Sequence, residues 1–249
     1  MNNILINARN IRPQHDGLQP DITSDIEIRA GAIYGFIGPD SLLVSAWLQT
    51  LAAIEPPASG QVQFMGLNTV NPDRNAWQKL RINLAYLNHH SALLSVLSVQ
   101  ENILLPALYH QIGKREELMV QMQAMLQKIG FADMNNLTKL PAYIDEVSYC
   151  QAMLVRVVLT SPQVIVIDNT LRHFDERTSR KMLAFLRDYL ATTRASLLLH
   201  DDDAEFVQKS ASRIVYIGSG CLLQFNDRHE LQTSGNSHVL QYLEDIAAH

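Results

Sequence analysis

The sequence predicts an α/β fold, with a mixed or parallel sheet flanked by helices. Short apolar runs typical of strands alternate along the chain with longer segments of helical spacing. One apolar run, residues 33–37, leads directly into Gly38 to Ser45, placed where a phosphate-binding loop joins a strand to a helix. At 249 residues and 47% hydrophobic composition, the chain is long enough for one large α/β domain or two small ones.

The first half of the chain predicts five strands and one long helix. The strands are expected at residues 4–6, 22–28, 33–37, 61–65 and 84–87. The helix is expected over residues 42–53, directly after the loop. A turn at residues 55–60, containing Pro, Ser and Gly, separates this helix from the fourth strand.

The second half begins with a long helical pattern over residues 99–130. Pro106 is expected to kink or break it, and Met119, Met122 and Met125 are interpreted as core packing rather than as ligands. Helices are then predicted at residues 151–159 and 178–190, each followed by a strand, at 164–167 and 196–199. Residues 213–217 and 222–225 predict a hairpin, and residues 239–247 a helical tail.

Charge and cysteine content argue against several functions. A net charge of -5 and a pI near 6.0 disfavour nucleic-acid binding, which needs clustered Lys and Arg. Cys150 and Cys221 are too few for a disulfide framework and lack zinc-ligand spacing, so buried thiols are expected. No leader is visible, and no apolar run approaches the roughly 20 residues of a membrane span. A cytoplasmic protein is therefore expected.

The loop keeps the outline of a phosphate loop without its chemistry. A working loop reads Gly, four residues, Gly, Lys and then Ser or Thr. Here Gly38 is present, but the second Gly is Leu43 and the Lys is Val44. Ser45 still offers a hydroxyl to Mg²⁺. The loop therefore lacks the cation that would neutralise a bound phosphate.

Five segments, in order along the chain, resemble the ATP-binding subunits of ABC transporters. They are residues 31–40, 56–66, 97–103, 161–168 and 200–201. The resemblance implies a P-loop NTPase-like ABC nucleotide-binding domain, with a mixed sheet core, flanking helices and a helical subdomain. Residues 1–249 would form one such domain, with a core at 1–87 and 160–230, a helical subdomain at 88–159 and a tail at 237–249. The tail is also similar to that of Mla-type phospholipid transporters.

The resemblance assigns some retained positions to the nucleotide site. Asp168 stands where the family has its magnesium-linked Asp, and His200 and Asp175 match its switch histidine and the Asp of its dimer-contact loop. Ser41 and Leu43 replace loop glycines, which strains any left-handed backbone there. The adenine base would meet Pro13, where no aromatic side chain is present.

Other positions depart from the family pattern. Asn88 stands for a metal-contacting Gln, and Asn169 for the Glu that activates water; losing such a base costs about 10²–10⁴ in rate. The Leu-Ser-Gly-Gly-Gln signature aligns with Ile144, Asp145, Glu146, Val147 and Ser148. Its two carboxylates would meet an approaching γ-phosphate.

These departures predict a catalytically inactive pseudo-ATPase. We expect no metal and no cofactor, with weak or absent binding of ATP and Mg²⁺, and a structural or regulatory role in a membrane transport complex, with lipid as a candidate cargo. The implied partners are an ABC permease, a second copy or another ATP-binding subunit, and lipid-shuttle components, without nucleic acid. The permease would dock at residues 88–109, on Leu93, Leu94, Val96 and Leu97, and hold the chain on the cytoplasmic face of the inner membrane.

Two other functions stay open. A divergent but active transport ATPase would need a cation from elsewhere, such as Arg81 or Arg172. A soluble regulator would have left the transporter altogether. Structural roles are also open: Asp168 can cap a turn, His200 can be a core or rim histidine, residues 201–203 are interpreted as a solvated first helical turn, and His89, His90 and His173 as surface or interface residues.

Overall fold

The computed structural model describes residues 3–15, 23–88, 90–171, 174–218 and 220–247. The chain divides into two compact units. The core unit comprises Met1–His89, Gln163–Arg172 and Arg194–His249. The helical unit comprises His90–Pro162 and His173–Thr193.

The strands of the described residues all lie in the core unit and form two sheets. They are β1 (Ile4–Arg12), β2 (Ser24–Arg29), β3 (Ile33–Ile37), β4 (Ser59–Phe64), β5 (Leu67–Asn68), β6 (Leu84–Asn88), β7 (Val164–Asp168), β8 (Ser196–His200), β9 (Arg213–Gly218) and β10 (Cys221–Phe225). One sheet is antiparallel, in the order β2-β1-β4-β5. The other has the order β10-β9-β3-β8-β7-β6 and is parallel except for β10. This mixed α/β architecture confirms the predicted fold class.

The helices divide between the two units. Those of the core unit are α1 (Ser41–Leu51), α2 (Arg74–Arg81), α7 (Ala204–Ser210), α8 (Arg228–Gln232) and α9 (Ser237–Ala247). Those of the helical unit are α3 (Val99–Tyr109), α4 (Arg115–Ile129), α5 (Glu146–Val158) and α6 (Glu176–Thr193). Within the described residues, no helix has both the length and the apolar character needed to cross a membrane.

Of the kink or break expected at Pro106, the break is wrong. Pro106 lies inside α3, and the helical pattern is interrupted later, at residues 110–114. In α4 the buried side chains are Leu118, Met122, Leu126 and Ile129, so only the central methionine of the predicted stripe is fully in the core. The helix α3 ends where Gln111 adopts a left-handed backbone, with a φ of 55°, rather than at the proline.

The six-stranded sheet brings distant parts of the sequence to one edge. Parallel strands end on the same side, and Asp168 pairs in register with both Asn88 and His200. Ile37 ends β3 at this edge too, and the loop that follows it leads into α1. Carboxyl ends of parallel strands are where ligands bind in open α/β sheets. The candidate site is therefore located here.

Candidate functional site

The loop between β3 and α1 is capped by its own side chain. Asp40 is the N-cap of α1, and its Oδ1 accepts hydrogen bonds from the backbone N–H of Leu42 at 3.0 Å and of Leu43 at 3.1 Å. Free N–H groups at a helix start are those that bind phosphate in loops of this kind. Two of these donors are thus already satisfied by a carboxylate of the chain itself.

The two positions that replace glycine and lysine turn toward the core. Val44 is fully buried in the apolar cluster, with Trp47 and Leu48 from the next turn of α1. Leu43 is partly buried and packs against the same cluster, whereas Leu42 points outward. A side chain at position 44 is therefore surrounded by apolar groups rather than aimed at an open phosphate site.

Ser45 and Asp168 lie in direct contact at the strand edge. Ser45 Oγ donates to Asp168 Oδ1 at 2.8 Å, and the Tyr86 hydroxyl donates to Asp168 Oδ2 at 2.6 Å. Asp168 is buried, so each of its oxygens depends on one of these hydroxyls. Burial and, next, the Asp168 charge raise the pKa of Tyr86, which also has hydrogen bonds with Gln49 and Asn88.

A second polar cluster joins the loop to the ends of β7 and β8. Ser41 Oγ lies 3.0 Å from His200 Nε2 and 2.8 Å from Asp202 Oδ1, and it accepts from Asn169 Nδ2 at 3.0 Å. Asn169 Nδ2 also donates to Asp202 Oδ1 at 2.9 Å, while Asn169 Oδ1 accepts from the Asp202 backbone N–H at 2.9 Å. We call Ser41, Asn169, His200 and Asp202 the loop-closing cluster.

In this cluster one hydroxyl hydrogen has two possible acceptors. His200 Nδ1 lies 3.1 Å from the carbonyl oxygen of Phe36, which can only accept, so Nδ1 carries a hydrogen. The single hydrogen of the Ser41 hydroxyl can then serve either a neutral His200 Nε2 or Asp202 Oδ1, but not both. Burial lowers the pKa of His200, while the charges of Asp168 and Asp202 oppose that shift.

The C-terminal helix reaches the same loop. Tyr242 of α9 has a hydrogen bond with the backbone of Gly38, and its ring lies 5.5 Å from the ring of Tyr216. Burial raises the pKa of Tyr242 to about 12. Gly38 is confined, because a Cβ atom there would lie 2.0 Å from the Ile217 carbonyl oxygen. The first glycine of the loop is therefore held by β9 and α9.

The signature segment lies in the helical unit at the start of α5. Asp145 is the N-cap, and its carboxylate accepts from the Ser148 N–H at 2.9 Å and from the Ser148 hydroxyl at 2.6 Å. The Ser148 hydroxyl and backbone hydrogen bonds lower the pKa of Asp145. Ser148 is buried, whereas Ile144, Glu146 and Val147 are not. Asp145 thus serves its own helix.

The predicted docking residues split between core and surface. Leu93 is buried, Leu97 is partly buried, and Leu94 and Val96 are 45% and 81% exposed. The sequence did not single out Asn102, which holds this segment. Its buried amide contacts the N–H and carbonyl of Leu94 at 2.6 and 2.9 Å and the carbonyl of Leu97 at 3.0 Å.

The remaining candidates have local roles or lie outside the described residues. Asp175 accepts from the Thr178 N–H and hydroxyl, as a helix cap does, and Pro13 is buried. Cys150 is buried as predicted, whereas Cys221 is only partly so. His89, Arg172 and His173 lie outside the described residues. In the described part of the chain, no group of three His, Cys, Asp or Glu side chains is placed to hold a metal ion.

The fold and the site define a class of protein. A sheet of mostly parallel strands with a strand-loop-helix at its edge, and a Ser hydroxyl on the Asp that ends another strand of the same sheet, is the frame of a phosphate-loop protein. A family model described as "ABC transporter" matches residues 23–172, more than half of the chain. The chain therefore belongs to the ABC transporter family.

Relatives of known sequence carry names from methionine import. The chain is 27% identical to the methionine import ATP-binding protein MetN of Rhizobium etli, over 80% of this chain and 54% of that protein. It is 26% identical to MetN of Latilactobacillus sakei, over 80% of this chain and 57% of that protein. The chain thus spans little more than half the length of the relatives it matches.

Solved structures share the fold. A dimeric post-hydrolysis form of the ATP-binding cassette MJ0796, bound to ADP and Pi, has a TM-score of 0.73 at 18% identity, covering 87% of this chain and 95% of that one. CbiO1 from Clostridium perfringens, part of the transporter complex cbiONQ, has a TM-score of 0.76 at 15% identity, covering 97% and 95%.

These comparisons correct one prediction. The expectation that the chain is not an enzyme is wrong, because the relatives are named as ATP-binding proteins of methionine import. The substitutions at Val44, Asn88 and Asn169 do not in themselves demonstrate loss of activity. Likewise, the MetN relatives give no support to a phospholipid cargo.

Proposed function

We propose that the chain is a divergent ATP-binding subunit of a membrane transport complex. The observation that carries this is the contact of 2.8 Å between Ser45 Oγ and Asp168 Oδ1 at the carboxyl edge of the parallel sheet. A hydroxyl at the start of a helix and an Asp at the end of a buried strand are the protein ligands that hold Mg²⁺ with a nucleotide. His200 lies at the end of the neighbouring strand.

In this proposal the isolated chain binds Mg²⁺ and ATP weakly. The Asp40 carboxylate already accepts from the N–H groups of Leu42 and Leu43, so a phosphate has to displace it. A carboxylate at this place also repels the phosphate charges. Val44 supplies no cation to offset that repulsion.

Calorimetry with ATP and Mg²⁺ on the purified chain tests the binding step. We expect weak binding that strengthens about tenfold in Asp40→Asn, because the substitution removes the competing charge. Asp73→Asn, at the N-cap of α2, is the matched control and should leave the affinity unchanged. Micromolar affinity in the unmodified chain, or no gain in Asp40→Asn, would contradict the proposal of a self-capped loop.

Hydrolysis is proposed to be slow rather than absent. With Asn169 at the position of the activating base, a loss of about 10²–10⁴ in rate is expected. The guanidinium of Arg81 donates to the Leu84 carbonyl, so it is already engaged within the core unit. Phosphate release that persists unchanged in Asp168→Asn would come from a contaminant and would count against the proposal, whereas its loss in that variant would support it.

Partner binding is proposed through the segment 93–97 of the helical unit. Leu94 and Val96 are exposed, while the buried Asn102 amide fixes the backbone beneath them. An apolar segment with a fixed backbone is suited to bind a short amphipathic helix of a permease. This contact would hold the chain on the cytoplasmic face of the membrane. A second ATP-binding chain is the other proposed partner, because cassettes of this family share their nucleotide sites between two chains.

Co-purification tests the docking segment. Val96→Glu should abolish recovery of the chain with its permease, because a charge would enter an apolar interface. Val120→Glu on α4, which is 68% exposed, is the matched control and should leave recovery unchanged. Equal recovery of both variants would exclude this segment as the docking site. For cargo, the names of the relatives favour an amino acid over the phospholipid that the tail alone suggested.

A further inference from the structure

The core unit has a groove that is separate from the loop-closing cluster. It lies between α7, α8 and α9, and its cavity volume is 440 Å³, within the range of small-molecule sites. Its polar lining includes Gln208 of α7 and both Arg228 and Gln232 of α8. Its apolar lining comes from α9. Glu205 of α7 and Glu244 of α9 also line the groove, which thus combines one cation, two carboxylates and two amides with an apolar wall.

The Arg228 guanidinium is incompletely used by the protein. Its Nε is buried and has no hydrogen-bond partner, and its closest carboxylate oxygen is Glu205 Oε1, 3.7 Å from a terminal nitrogen. Glu205 is more tightly engaged by Lys209, at 2.9 Å. A buried guanidinium N–H without an acceptor costs free energy. Arg228 therefore has unfilled capacity for an anionic acceptor.

The Gln208 side chain gives an independent observation. It is only 5% exposed, yet it lines the groove. No hydrogen bond to its amide is found among the described residues, although buried amides are normally satisfied. Because Gln208 lines the cavity, its amide is available for a hydrogen bond to a ligand there.

The third side of the groove is apolar. Leu240, Leu243 and Ile246 lie on α9 at helical spacing and line the cavity. In α9 only Val239 is fully buried, so these three side chains are left partly uncovered. An aliphatic chain laid along them would remove that apolar surface from water.

We propose that this groove is a binding site for a small aliphatic carboxylate. The carboxylate pairs with the Arg228 guanidinium in the fork geometry that Arg favours, and the Gln208 amide donates to it. The aliphatic chain lies on Leu240, Leu243 and Ile246. Glu244, also in the lining, is placed to receive an ammonium group, so an apolar amino acid is one form of this chemistry.

Amide chemical shifts of the isotope-labelled full chain, titrated with sodium hexanoate, test this site. We expect saturable shifts confined to α7, α8 and α9, with affinity in the millimolar range or tighter. Methyl hexanoate, which lacks the charge, should bind about tenfold more weakly or worse. Leucine separates the two forms, because tighter binding than hexanoate would place its ammonium on Glu244. Shifts that do not saturate, or equal affinity for the ester, would overturn the proposal.

Variants of the groove residues test whether hexanoate binds in the groove. Arg228→Gln should lower hexanoate affinity about tenfold or more, and Leu243→Gln should lower it as well without removing the charge. Arg180→Gln, an exposed arginine on α6, is the matched control and should change nothing. Arg228→Lys covers the case in which Arg228→Gln fails to fold. Unchanged affinity in every folded groove variant would place the site elsewhere.

Discussion

The phosphate loop and the signature segment both depart from the family pattern, but they are held differently. In the loop, Ser41 and Ser45 contact partners more than a hundred residues away, at the ends of β7 and β8. In the signature segment, Asp145 contacts Ser148, three residues away. The substituted loop residues are therefore held by contacts at the edge of the sheet. The substituted signature residues are held by contacts at the start of one helix.

This difference has a consequence for reversing the substitutions. A change in the loop affects several elements at once and should lower the free energy of unfolding strongly, because buried groups lose their partners. A change at the signature affects one helix cap and should lower the free energy of unfolding only slightly. Restoring the family residues is thus expected to destabilise the protein more in the loop than in the signature.

The largest effect is expected for Val44→Lys, which restores the family cation. Val44 is fully buried among apolar side chains, so an ammonium there lacks solvation and should cost about 3 kcal/mol or more. Urea unfolding measures the loss. Val44→Met, apolar and of similar length, should cost about 1–3 kcal/mol and separates overpacking from charge. A stability of Val44→Lys equal to that of Val44→Met would mean that the site opens to solvent.

The next effect is expected for Ser45→Ala. It removes the donor to Asp168 Oδ1, and a buried carboxylate oxygen without a partner should cost about 1–3 kcal/mol. Ser45→Thr keeps the hydroxyl and should cost less. The free energy of unfolding of the three proteins gives the comparison. If Ser45→Ala and Ser45→Thr had the same free energy of unfolding, the contact between Ser45 and Asp168 would not contribute to stability.

A smaller effect, with a defined sign, is expected for pH. Burial lowers the pKa of His200 below its ordinary value of 6.5, so the unfolded chain binds this proton more readily than the folded chain. The His200 contribution to stability is therefore complete above that value and falls as the pH drops below it. The slope is at most about 1.4 kcal/mol per pH unit.

Titration of the His200 imidazole by NMR checks that sign. A midpoint below the ordinary histidine value is expected, and His200→Gln should unfold with a shallower pH dependence than the unmodified chain. A midpoint above the ordinary value would show that the charges of Asp168 and Asp202 outweigh burial. In that case the imidazolium would donate to Ser41 and complete the loop-closing cluster.

Apolar periodicity predicted the sheet well, because buried parallel strands such as Ile33–Ile37 are continuous hydrophobic runs. It missed α2, which has no buried residue, and the short α8, because neither presents a long apolar face. Retained site positions, Asp168 and His200, followed from the resemblance. Asp40 could have been found as an N-cap before a helix, whereas the partners Tyr86 and Asp202 depend on which strands are neighbours, which local pattern does not show.

The smallest effect is expected at the signature, for Asp145→Ser. Serine is as good an N-cap as aspartate, so the free energy of unfolding should change little, whereas Asp145→Ala should cost about 1 kcal/mol. Thermal unfolding of the two variants and the unmodified chain measures both. A loss in Asp145→Ser as large as in Asp145→Ala would show that the carboxylate does more than cap α5, and the contrast between a sheet-bound loop and a self-contained signature would then fail.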